Sequence, residues 1–165
     1  MVPFCLYARC ALFFACALPA SAEDARTGTV QRKWTDFLLV ALPVLAGIGG
    51  GSGAVAASAA GAAGAVFLFA SASKAVGDKG FGAADLRMAA AIGALGGYRL
   101  CMYASAAAVL LSLPYAVSAR GTKKQRSFPF VPQLTAGTVW SLCVVHFFPH
   151  IFRAETLLTA ISFAG

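Results

Sequence analysis

The sequence predicts an all-α, polytopic membrane protein of about six transmembrane helices. Three observations carry that reading. Hydrophobic residues fill 59% of the 165 positions, charged residues only 12%, and the mean hydropathy is +0.77. Such a composition is too apolar for a soluble domain of this length. The apolar residues gather into runs close to the roughly 20 residues that one helix needs to cross a bilayer. The basic residues collect between those runs. At this length the chain reads as one domain, residues 1–165.

The first expected span is 2–22. It ends in Leu18-Pro19-Ala20-Ser21-Ala22, which has the small-residue pattern of a secretory cleavage site. Its only basic residue is Arg9, a poor start for a signal peptide. Cleavage would also leave five spans and put the basic segment 23–35 on the wrong side. The run is therefore read as a retained span, with cleavage left open.

The second and third spans are expected at 37–53 and 54–73. The uncharged run Gly47-Ile48-Gly49-Gly50-Gly51-Ser52-Gly53 joins them and reads as a short external turn. No G-K-[ST] follows, so it does not read as a phosphate loop. Ala57, Gly61 and Gly64 in the third span suit close helix approach. Leu86 to Ser118 is long enough for two short helices, 86–98 and 100–118. Gly96-Gly97-Tyr98-Arg99 is the expected break, because glycine weakens a helix and arginine prefers an interface. The sixth span is expected at 131–152, before a short tail.

Charge sets the orientation. Segments 23–35, 74–87 and 119–127 fall on one side of a six-span chain. They hold ten of the thirteen basic residues, leaving Arg9, Arg99 and Arg153 elsewhere. The positive-inside rule makes that side cytoplasmic and puts both termini outside. The net charge of +7 thus reports topology. No basic stripe with interleaved aromatics points to nucleic acid. The five cysteines form no C-x-x-C pair and read as small hydrophobes. His146 and His150 are four residues apart but have no visible third ligand, so no metal is expected.

The chain has only six acidic residues, and a carboxylate near hydrocarbon is costly, so one at the edge of an apolar run marks a candidate site. Asp24 closes the first apolar run. Asp85 follows Gly80-Phe81-Gly82-Ala83-Ala84 and opens the helix from Leu86. Each alone has a plain structural explanation: Asp85 as a helix cap, Asp24 as a loop acid paired with Arg26. Asp78 and Asp36 are competitors. Asp78 is not followed directly by an apolar helix, and Asp36 lies beyond the basic loop.

Three segments together resemble the type IV prepilin peptidases, specifically the small single-domain members that serve tight-adherence pili. Gly82–Gly97 looks like their G-x-G-D signature, a basic residue and an alanine-rich helix. Asp24–Thr35 looks like their first-aspartate segment. Ser127-Phe128-Pro129-Phe130-Val131-Pro132-Gln133-Leu134-Thr135-Ala136-Gly137 resembles their proline-containing entry into the last helix. Ala84 stands where the signature usually has Gly, Arg87 where it has Lys, and Gln31-Arg32 where the family usually has Pro-Asn.

The resemblance implies an intramembrane aspartyl endopeptidase in the bacterial inner membrane. Asp24 and Asp85 would be its catalytic pair, with Gly82, Ala84 and Arg87 as supporting motif residues. It implies no cofactor, and a prepilin or pseudopilin precursor as substrate, cut at the cytoplasmic membrane face. Membrane lipid is the other expected partner. Monomer and homodimer both stay open. Two alternatives remain at this level: a small non-enzymatic carrier or assembly subunit, and a catalytically inactive relative. A carrier would more often show repeated halves and broken helices at the midplane.

Overall fold

The computed structural model describes residues 2–76, 81–119 and 130–147. Within them the protein is all-helical. It has four helices: α1 (Val2–Thr27), α2 (Arg32–Val76), α3 (Ala83–Ala119) and α4 (Val131–Phe147). Three stretches are long and apolar enough to cross a membrane: Cys5–Thr27, Arg32–Lys74 and Ala83–Pro114. The expectation of about six spans is therefore met only in part.

The difference lies in how the glycines act. α2 has 45 residues, about 67 Å if straight against a hydrocarbon core of about 30 Å. It is not straight. Gly51 leaves the helical region with φ at +69°, a conformation glycine enters without a side-chain clash. A Cβ placed on Gly47 would lie 2.8 Å from Val55 Cγ2. Eight residues of straight helix rise about 12 Å, so the chain bends sharply here. α3 has the same design. Gly96 and Gly97 are non-helical, with φ at −138° and +82°, inside the expected Gly96–Arg99 break. The expected joins at 53/54 and 98/100 thus fall close to backbone breaks at Gly51 and Gly96-Gly97, and α2 and α3 are each two helical segments joined across a kink.

The other boundaries move outward. The first helix runs to Thr27 instead of Ala22 and the second begins at Arg32 instead of Phe37. Gly28 explains the first shift. Its φ of +69° and its N–H bond to the Asp24 carbonyl at 2.8 Å form a left-handed helix C-cap. Asp24 therefore belongs to the last turns of α1 and not to a loop. The last span, expected to 152, is described to Phe147.

The core is built mostly from small side chains, with Ala17, Ala20, Ala65, Ala89, Ala91, Ala104 and Ala108 buried beside Phe13, Leu38, Met88, Ile92 and Leu134. Large apolar residues such as Val40, Ile48, Phe67, Leu110 and Trp140 face outward, as lipid-facing residues do. Association in lipid depends on close backbone packing. A Cβ on Gly61 would run into the Gly93 carbonyl, and one on Gly137 into the Ala104 carbonyl. Gly64 meets only Tyr98 Cβ, at 3.4 Å. The small-residue pattern read in the third span is a helix–helix contact, with Gly61 at its tightest point.

Contacts sort the helix ends into two groups. At one end Cys5 of α1 meets Gly49, and Arg9 and Ser58 both reach Ala94. At the other end α1 finishes, α2 and α3 begin, and α4 starts beside Asp24. The candidate site lies at this second end.

Candidate functional site

Asp24 is 6% exposed. Its carboxylate oxygen Oδ2 accepts the N–H of Val131 at 3.2 Å. Val131 is the first residue of α4, and Leu134 N–H bonds back to Phe130 carbonyl at 3.0 Å. Phe130 is therefore the cap residue, and the Val131 N–H is one of the donors that a helix leaves unpaired at its start. Asp24 caps α4 from another helix, at the positive end of its dipole. One turn earlier on α1, Ser21 Oγ lies 2.8 Å from Thr135 Oγ1 of α4. These two contacts fix α1 against α4. Asp24 makes no ion pair with Arg26 among the described residues.

Asp85 sits in the first turn of α3. Its Oδ2 accepts the Gly82 N–H at 2.9 Å, and the Leu86 N–H bonds to Gly82 carbonyl at 3.2 Å. Gly82 is the cap residue and Asp85 reaches back to it, which is half of a capping box. A Cβ on Gly82 would lie 3.4 Å from Asp85 Oδ2, an ordinary contact, so glycine here is not required for space. Ala84 is half-buried and packs against the core.

The two aspartates face a common region. Phe81, next to the Gly82 that Asp85 caps, packs on Phe130, next to the Val131 that Asp24 caps. Each carboxylate uses one oxygen on a backbone N–H at a helix start. Each is thus held in place while a second oxygen keeps its capacity to bond. The burial of Asp24 and partial burial of Asp85 strengthen any charge–charge interaction between them. Two nearby carboxyl groups in such a setting can share one proton, the basis of acid/base chemistry on water.

Arg87 has a different partner. Its Nε lies 3.9 Å from Asp36 Oδ1, with side chains 26% and 58% exposed. The competing acid Asp36 is therefore an exposed ion-pair partner that ties the starts of α2 and α3. Gly77-Asp78, Gly80, Arg120–Arg126, Ser127–Pro129, His150 and Arg153 lie outside the described residues, as does the His146 side chain. Among the described residues no group of three His, Cys, Asp or Glu side chains could hold a metal ion. The cysteines that sequence reading took as small hydrophobes are all free, with Cys16 and Cys101 buried.

Sequence reasoning missed several parts of this region. Phe81 stacks between Phe69 and Phe130 at centroid distances of 5.1 and 5.4 Å, bridging the segment before Asp85 to the cap of α4. The same three rings line an apolar cavity of about 590 Å³, together with Leu68, Met102 and Leu110. Glu23 Oε2 accepts the Gln31 N–H at 3.2 Å and closes the 28–31 connection. A partner that is a backbone N–H, as for Asp24 at Val131, leaves no residue-type signal. Phe81 and Phe130, by contrast, each stand beside a motif residue, a signal that could have found them.

A family model described as the type IV leader peptidase family matches residues 11–117. The match contains both Asp24 and Asp85 and covers more than half of the chain. No curated protein and no solved structure matches it.

Proposed function

The chain belongs to the type IV leader peptidase family, and from that premise we propose that it is an aspartyl endopeptidase with Asp24 and Asp85 as its catalytic pair. One observation carries the assignment. Two acids far apart in sequence, on α1 and α3, each cap a helix start at one end of the helix bundle, and Phe81 and Phe130 beside those caps pack together. One carboxylate takes a proton from water as that water attacks the scissile carbonyl. The other, protonated, polarises the carbonyl and then assists the leaving amine. The pair titrates as a unit, so neither residue has a fixed role.

The substrate in this reading is a prepilin or pseudopilin precursor. It has a short basic leader followed by an apolar helix, and cleavage falls at their junction. The chain sits in the bacterial inner membrane with six helical segments crossing, as the breaks at Gly51 and Gly96-Gly97 allow. The basic segments support a site at the cytoplasmic face. Only residues 28–31 connect α1 to α2, so this reading assigns peptidase activity and no methyl transfer, which bifunctional relatives carry with an insertion at that point. The test is co-expression with the pilin precursor of the same genome. Processing is expected with the wild-type chain, and an unprocessed precursor beside correctly inserted protein contradicts the proposal.

A further inference from the structure

Arg9 is the one charged residue before Glu23, and its surroundings are specific. Its guanidinium donates to the Ala94 carbonyl. The Ser58 hydroxyl donates to the same oxygen at 2.7 Å. Ala94 lies in the last turn before the break at Gly96 and Gly97, where carbonyls lose their partners within the helix. A cation at a helix C-terminus is also favoured by the dipole. Ser58 could satisfy that carbonyl without help from α1.

The arginine also carries a cost. Its Nε is buried without a partner among the described residues, a cost that an apolar residue at position 9 would avoid. What Arg9 adds is a direct polar tie between α1 and the first half of α3. Those two segments also carry the two acids. Asp24 lies toward the other end of α1, and Asp85 lies at the other end of the α3 segment that Ala94 closes. Pro19 lies inside α1 between Arg9 and Asp24, and a helix-interior proline removes one helical hydrogen bond and allows bending. The Ser21–Thr135 and Asp24–Val131 contacts hold the helix beyond Pro19. The half before Pro19 is held by Phe13 and Cys16 in the core and by Cys5 against Gly49, and Arg9 adds its polar tie to α3.

We propose that Arg9 is a positioning residue: its bond to the Ala94 carbonyl fixes α1 against the first half of α3 and so sets the separation of Asp24 and Asp85. The inference rests on the peptidase reading above. Arg9 touches no reacting atom in it and acts through helix placement alone.

The test uses the full chain in lipid vesicles with its precursor, comparing wild type, Arg9→Gln, Arg9→Lys and Ser58→Ala. Glutamine is too short to hold the contact. Arg9→Gln is expected to lower kcat by about tenfold to a hundredfold, the scale of a misplacement of roughly 1 Å, with KM unchanged. It is also expected to draw the two limbs of the pH–rate profile together, because a wider separation weakens the coupling of the carboxyls. Glu23, which bonds Gln31, and the Asp36–Arg87 pair are the charged groups at this end of the helices and are the same in every variant.

Arg9→Lys, which keeps a cation but not the planar fork, is expected to fall between Arg9→Gln and wild type on both measures. Ser58→Ala removes a donor from the same carbonyl without touching α1, and is expected to keep the wild-type limb spacing. An Arg9→Gln enzyme with wild-type limb spacing overturns the inference, as does a Ser58→Ala enzyme that matches it on both measures. Should Arg9→Gln fail to insert, Arg9→Lys decides alone: wild-type kcat and spacing overturn the inference. A wild-type chain that leaves the precursor uncut removes the peptidase reading itself, a result separate from any difference among variants.

Discussion

The Asp24 carboxylate accepts the backbone N–H of Val131 at 3.2 Å, across 107 positions of sequence. The contact explains why an acid can sit 6% exposed in a membrane-length helix. The start of α4 supplies an otherwise unpaired donor and the positive end of a dipole. It also means that the orientation of Asp24 depends on the entry into the last helix, the segment whose proline-containing pattern stands out in the sequence.

Val131→Pro tests that dependence. Proline is tolerated at the first helical position, where it deletes the N–H at little cost to the helix. Loss of a hydrogen bond to a charged group is worth about 1.5–3 kcal/mol, so precursor cleavage is expected to fall by about tenfold or more. Val131→Ala keeps the N–H and serves as the packing control. Equal cleavage by the two variants would show that the bond does not orient Asp24.

Asp36 and Asp24 separate cleanly by environment. Asp36 is in an exposed ion pair with Arg87, and such pairs contribute about 0–1 kcal/mol. Asp36→Asn is expected to leave cleavage within about twofold of wild type and to shift thermal unfolding little. A loss of activity as deep as that of Asp24→Asn would make Asp36 the better candidate for the pair.

Gly61 and Gly64 lie on the same helix but face different neighbours. A methyl group on Gly61 meets the Gly93 carbonyl and the Gly97 Cα, whereas one on Gly64 meets only Tyr98 Cβ at 3.4 Å. Gly61→Ala is expected to destabilise by about 1–3 kcal/mol through overpacking. Gly64→Ala is expected to stay within about 0.5 kcal/mol. Unfolding of both in detergent, followed by circular dichroism, makes the comparison. Equal stability would mean that the α2–α3 approach is looser than the structure has it.

Much of the fold was legible because lipid imposes simple rules. Apolar runs marked the helices, and glycine clusters marked the breaks at Gly51 and Gly96-Gly97. What composition did not reveal was helical continuity through polar turns. α1 runs five residues past its apolar stretch because Gly28 provides a left-handed cap. Asp24 was therefore legible as a candidate acid just past the first span, but its place inside a helix and its burial were not. Asp85 was easier, since its cap partner Gly82 is three residues away. Arg9 was noticed only as a poor signal-peptide charge. Its partner is the carbonyl of Ala94, and a backbone atom freed by a distant glycine break leaves no mark in the residue pattern.

The catalytic role of the two acids is tested most directly by precursor processing with Asp24→Asn and Asp85→Asn, each inserted in the membrane at wild-type level. Asparagine keeps the size and an acceptor oxygen for the Val131 or Gly82 N–H but cannot exchange a proton. Each variant is expected to leave the leader attached, with cleavage reduced by at least about a thousandfold, as for loss of a group that acts as part of a unit. Mature pilin produced at the wild-type rate by either variant would contradict the assignment of that residue to the catalytic pair.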